Sequence, residues 1–198
     1  MSDWDILVRL ASAPGWCEPT YGGGGGPIVG NPVGNFKPPS SDKWNCSTAN
    51  AKLVLWGAYL LGKSGFRFEL GDWQEWMIQT LGSGGGVDVC VRLGLAERTQ
   101  PTGLPMVLQD GDWYVAQSWN AARTKGHAFL LRVMTTQSGD IGLAYLEANN
   151  VGMNGLGSRS CDVPISRWGG DFPANSLELE SPEDIEDRYD LLYTARLL

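Results

Sequence analysis

Ala128-Phe129-Leu130-Leu131-Arg132-Val133-Met134, then Ser138-Gly139-Asp140, then Ile141-Gly142-Leu143-Ala144-Tyr145-Leu146, is the stretch whose reading decides the fold class. Two apolar runs flank a turn signal, which predicts an antiparallel hairpin. With the turn centred on Ser138-Gly139, paired residue numbers sum to about 277. His127 then falls opposite Asn150, and a slip of one or two residues keeps it beside 147–150.

Upstream of the hairpin, Trp113–Trp119 and Leu104–Leu108 also read as strands. So does the alternation of Val87, Val89, Val91 and Leu93, which places Cys90 within a strand. Further back the spacing becomes helical. Ala49, Leu53, Trp56 and Leu60 predict a buried central helix over Cys46–Leu61, opened by Asn45 and capped by Gly62. A second helix is predicted from Asp72, with Trp73, Trp76, Met77 and Leu81 on its apolar side, until Ser83–Gly86 break it. Ser2 or Asp3 caps a short first helix carrying Ile6, Leu7 and Leu10, and Pro14-Gly15 stops it. Tyr189–Leu197 fits either strand or helix. Helices followed by an antiparallel meander make an α+β chain, with no βαβ alternation and no internal repeat.

The length of 198 residues suits one domain over 1–198. Within it, residues 14–43 hold eight glycines and six prolines, a composition that predicts a long loop of the kind that often carries function. Residues 178–190 hold seven carboxylates and read as a solvated face or tail. The net charge of −7 and the lack of clustered Lys and Arg argue against a nucleic-acid partner. The start has no basic n-region or apolar h-region, and no run of apolar residues is long enough to span a bilayer. The expectation is a chain made in the cytoplasm without a signal peptide or membrane partner, so that work outside the cell or in a virion would need separate delivery.

Cysteines stand at 17, 46, 90 and 161 without a C-x-x-C pair, and His127 is the only histidine, so neither a metal site nor a cofactor is predicted. A chain without a signal peptide keeps such thiols reduced. Gly22–Gly26 is not a phosphate loop, because no strand precedes it and no Lys-Ser/Thr follows. Trp73, Trp76, Trp113 and Trp119 read as core at their spacings.

A thiol is nucleophilic as thiolate, and a helix N-terminus lowers its pKa because exposed N–H groups and the macrodipole favour negative charge there. Among the four cysteines only Cys46 opens a predicted helix. His127 stands at a strand start, and the hairpin brings a polar cluster beside it. Glu147 and Asn149 share one face of an extended chain, so either could hold the imidazole in the correct tautomer. Asn150 is a third candidate, since a one-residue slip exchanges faces.

Asn45-Cys46-Ser47 opening an apolar helix, Asp110-Gly111-Asp112-Trp113 opening a strand, Gly126-His127-Ala128-Phe129-Leu130, and Glu147-Ala148-Asn149 together resemble the CHAP and NlpC/P60 families of papain-like peptidoglycan hydrolases. The motifs cover roughly residues 20 to 150, and their order is more specific than any one of them. The resemblance implies a papain-like fold in which N-terminal helices, one buried and Cys-bearing, pack on an antiparallel sheet. It also implies the catalytic set Cys46, His127, Glu147 and Asn149. Tyr21, followed by glycines, is similar to the Tyr-x-x-Gly-Gly lead-in of NlpC/P60 proteins and implies an oxyanion role, with residues 27–43 as an insertion.

The implied activity is a cysteine amidase or endopeptidase that hydrolyses an amide bond in peptidoglycan, as a phage lysin, a tail-associated enzyme or a toxin-like effector. Partners of such a chain are peptidoglycan or a peptide substrate, with an immunity protein or a phage structural component besides. The alternatives are a papain-like deamidase, protease or transglutaminase acting on a protein, and a non-catalytic structural domain that retains the fold.

Overall fold

The computed structural model describes residues 2–11, 46–63, 65–77, 83–136, 138–146 and 179–198. Their elements are α1 (Ile6–Ala11), α2 (Cys46–Leu60), α3 (Leu70–Trp76), α4 (Gly86–Arg92), β1 (Ala96–Glu97), β2 (Trp113–Trp119), β3 (Gly126–Thr135), β4 (Ile141–Leu146), α5 (Pro182–Arg188) and β5 (Leu191–Leu197). The strands form one antiparallel sheet in the order β1-β5-β2-β3-β4. This is the α+β arrangement the sequence predicts.

The pleat gives the sheet two buried faces. Trp113, Val115, Leu130, Met134 and Ala195 join a core with α1 to α4, while Phe129, Leu131, Val133 and Leu192 join Leu104 and Ile185 of α5 on the other side. α2 is buried almost all round: its apolar run from Leu53 fits this, and the polar Ser47, Thr48, Asn50 and Lys52 are buried with it. Its end is a Schellman motif: Gly62 has φ +73, the Lys63 N–H donates to the Ala58 carbonyl, and the Gly62 N–H donates to the Tyr59 carbonyl. At Gly57 a Cβ would meet Leu7 Cδ2 at 3.0 Å and Trp4 Cζ3 at 3.1 Å, so glycine lets α1 seat closely on α2. Ser2 caps the 3-10 turn Asp3–Asp5 that leads into α1. From that turn the buried Asp5 carboxylate accepts from Arg132 Nε at 2.8 Å and from Trp113 Nε1 at 2.9 Å, tying the first helix to β2 and β3.

Several expectations are corrected. Val87–Leu93 is not a strand: it is the helix α4, which also places Cys90 on a helix. Val87, Val89 and Cys90 are buried and Val91 is exposed, a helical rather than an alternating pattern. Packing decides it, because Gly86 at the start of α4 presses against the Trp76 indole, where a Cβ would stand 2.5 Å from ring atoms. Leu104–Leu108 forms no strand either. Pro101 and Pro105 cannot donate to a ladder, Gly103 has φ +85, and Met106 and Val107 face solvent.

α3 begins two residues before the predicted Asp72, because Glu69 and Asp72 form a reciprocal capping box across its first turn. Leu81 lies outside the described residues. The acidic stretch, read as a solvated face or tail, is a solvated face: Glu183, Asp184, Glu186 and Asp187 are exposed. Its core is α5, capped by Ser181, with Ile185 buried and Glu180 bridged through the backbone to Leu143. Tyr189–Leu197 resolves as β5, second in the sheet, where Leu192, Thr194, Ala195 and Leu197 are buried.

The hairpin forms where predicted, one residue out of register. Leu146 opposes Leu130, whereas the predicted pairing would set it against Leu131. The turn residues explain the slip: Gly139 has φ +90, its N–H donates to the Thr136 carbonyl, and the Thr136 N–H donates to the Asp140 carbonyl. The connection is therefore longer than a two-residue turn, with Gly139 in the left-handed region. No helix among the described residues is long and apolar enough to cross a membrane.

Candidate active site

α2 starts at Cys46, and α2 packs along β3, which carries His127 as its second residue. The two elements thus bring the helix N-terminus to the beginning of the strand. There the Cys46 thiol and the His127 side chain hydrogen-bond. The Ala128 backbone N–H also bonds the sulfur, and the Ser47 hydroxyl lies 4.0 Å from it.

Burial raises the pKa of the Cys46 thiol and is the largest single influence on it. The hydrogen bond from His127, the charge of His127, the Ala128 N–H and the Ser47 hydroxyl together more than offset that, and the thiol lies below its ordinary value. Cys90 is the contrast. It is fully buried without such partners, and burial pushes its thiol far up. Cys46 and Cys90 are both free thiols, and Cys17 and Cys161 lie outside the described residues.

The histidine is held by its own strand and by β2. Its ring stacks on Phe129, with centroids 5.4 Å apart and planes at 23°, and Phe129 is in turn flanked by Tyr145 and Tyr189. The Ser118 hydroxyl donates to the His127 carbonyl at 3.4 Å. Directly before it, Gly126 has no room for a side chain: a Cβ would stand 2.9 Å from Trp119 ring carbons and 3.0 Å from Gln117 Nε2. Trp119 is itself fixed, donating its indole N–H to the Ser83 carbonyl at 2.8 Å.

Of the predicted site residues, Cys46 and His127 are brought together. Tyr21, Glu147, Asn149 and Asn150 lie outside the described residues, as does the 14–43 loop; the described β3–β4 ladder ends at the pair Leu130 and Leu146. Among the described residues no group of His, Cys, Asp and Glu side chains could hold a metal ion.

No protein-family model, curated protein or solved structure matches the chain. What the site can do follows from its own geometry.

Two buried polar residues were not singled out from the sequence. Asn50 is 3% exposed, and among the described residues neither its amide nitrogen nor its oxygen has a hydrogen-bond partner; Gln117 is 1% exposed, with its Oε1 likewise unpartnered among the described residues. Asn50 follows Cys46 by one helical turn on the same face. Gln117 pairs across the sheet with Ala128, whose N–H bonds the Cys46 sulfur. A buried orphan amide costs about 1–3 kcal/mol, so these positions stand out physically. The available signal was an amide side chain four residues after the cysteine, one helical turn along α2.

Proposed function

We propose that this chain is a cysteine hydrolase of amide bonds, with Cys46 as nucleophile and His127 as base. The observation that carries the reading is the Cys46–His127 hydrogen bond at the start of α2, with the thiol's pKa lowered in spite of burial. A lone buried cysteine behaves as Cys90 does, pushed toward the neutral thiol.

In this mechanism the Cys46 thiolate attacks the substrate carbonyl carbon while His127 holds the proton. The tetrahedral oxyanion is stabilised by the Cys46 backbone N–H at the helix start, with Tyr21 as a second donor. His127 then gives the proton to the leaving amine, and the C–N bond breaks to leave a thioester. Water, deprotonated by His127, attacks the thioester carbon; the C–S bond breaks, and acid product and free Cys46 are released. Glu147 or Asn149, with Asn150 as the remaining candidate, orients the imidazole.

The substrate proposed is peptidoglycan, cut at a peptide cross-link or at the amide joining sugar to peptide. This rests on the motif order shared with the CHAP and NlpC/P60 families, and it includes the papain-like fold, delivery outside the cell or in a virion, and an immunity protein or phage structural component as partner. The net charge of −7 favours a second substrate class, a protein side chain or backbone amide, because wall polymers are often anionic and an acidic enzyme is repelled by them.

Digestion of purified peptidoglycan by wild type and by Cys46→Ala, with released fragments identified by mass spectrometry, tests the reading. Release by wild type alone supports it and names the bond. No release by either removes the wall substrate and leaves amide-bearing proteins as the next assay.

A further inference from the structure

The stretch 101–112 runs over the sheet face opposite α2 without regular structure, yet it is firmly tied down. The Gly103 N–H donates to the Leu192 carbonyl at 2.7 Å, and the Thr194 hydroxyl donates to the Gly103 carbonyl at 2.7 Å. The Leu104 N–H donates to Glu186 Oε1 at 2.8 Å, and the Gly111 N–H to the Val133 carbonyl at 2.9 Å. Between these anchors Met106 is 97% exposed and Val107 70% exposed. Placing two neighbouring aliphatic side chains in water on an anchored loop is unfavourable unless something covers them.

Beside them lies a cavity of about 610 Å³, lined by Met106, Val107, Leu108 and Ile141 from the loop and β4, and by Glu183 and Glu186 from α5. Such a volume accommodates several side chains. Among the described residues its charged lining is wholly acidic, with no Lys, Arg or His. Asp184 and Asp187 add to the charge of the same helix.

From this combination we infer that the 101–112 loop and α5 form a docking surface for a partner polypeptide segment that presents aliphatic side chains flanked by Lys or Arg. The aliphatic side chains cover Met106 and Val107 and enter the cavity, while the cations meet the carboxylates of α5. The sign of the rim selects among occupants. A second copy of this chain, at net charge −7, would bring like charge against like, and nucleic acid or an anionic lipid surface would be repelled in the same way. The surface is on the face of the sheet away from α2, so the inference stands apart from the proposed reaction.

The test uses the full chain with isotopically labelled methionine methyl groups and two probe peptides of equal length, one of Lys and Leu, the other of Glu and Leu. The expected result is a saturable shift of the Met106 methyl resonance with the Lys/Leu peptide only, seen equally in a Cys46→Ala background. Affinity, read by titration calorimetry, should fall roughly tenfold or more in Met106→Ser/Val107→Ser and in Glu183→Lys, all exposed positions. Equal binding of both peptides, no binding of either, or binding unchanged in the variants overturns the inference. So does a Met106 shift that follows protein concentration alone and disappears in Val107→Ser, because the occupant is then a second copy of the chain.

Discussion

The Cys46 thiol, at the first residue of α2, is hydrogen-bonded to the side chain of His127, at the second residue of β3. That contact joins residues far apart in sequence and opposes burial, which acts in the other direction on the same thiol. It therefore sets the sign of the first prediction. Alkylation by iodoacetamide requires the thiolate, so its rate rises as pH increases through the thiol's pKa. In wild type the inflection should fall below that of an ordinary thiol. In His127→Ala the two influences of His127 vanish while burial remains, and the inflection should move upward. A pH–rate profile unchanged by His127→Ala would remove the pair.

Cys90 should not react in the native protein, because it is fully buried and its thiol is pushed up. Mass spectrometry after brief alkylation is expected to show Cys46 modified and Cys90 intact, with Cys90 labelled only in denaturant. Rapid native labelling of Cys90 would contradict the placement of α4.

Gly126→Ala should weaken both fold and site. The added methyl would press on the Trp119 ring, which is held by its bond to Ser83. The expected loss is about 1–3 kcal/mol in urea unfolding, with slower Cys46 alkylation because His127 is the next residue. Unchanged stability would mean that Trp119 can move aside.

Asp5→Ala should be among the more damaging single changes, since it leaves the Arg132 guanidinium buried without its carboxylate and the Trp113 indole N–H without its acceptor. A loss of about 3–5 kcal/mol is expected from denaturant midpoints. A cost below about 1 kcal/mol, the range of exposed pairs, would show that water reaches the arginine.

Gly86→Ala and Gly62→Ala separate two reasons for glycine. At Gly86 the obstacle is the Trp76 indole, and the cost should be about 1–3 kcal/mol. At Gly62 nothing lies within 4 Å of the new Cβ, so only the left-handed backbone at φ +73 opposes it, at about 1 kcal/mol. Equal thermal unfolding midpoints for the two variants would refute the distinction.

Periodicity served well where one rule dominated. Ala49, Leu53, Trp56 and Leu60 located α2 to within a residue, and the runs at 113–119, 128–134 and 141–146 located three strands. It failed where a short segment fitted two periods. Val87, Val89, Val91 and Leu93 alternate by two, but Val87 and Cys90 are also three apart, and only the fit of Gly86 under Trp76 selects the helix. Tyr189–Leu197 was undecided for the same reason until β1 and β2 accepted it as a strand between them.

The sequence alone determined that a cysteine opens the buried helix and that the only histidine opens a strand, because local apolar spacing and glycine positions encode both. It also determined the α+β class. Only the tertiary structure decided that the thiol and the imidazole meet, since that depends on α2 lying along β3, a contact no local pattern specifies. The exact hairpin register and the orphan amides of Asn50 and Gln117 belong to the same category, because pairing and burial are properties of what packs against a residue rather than of the residue itself.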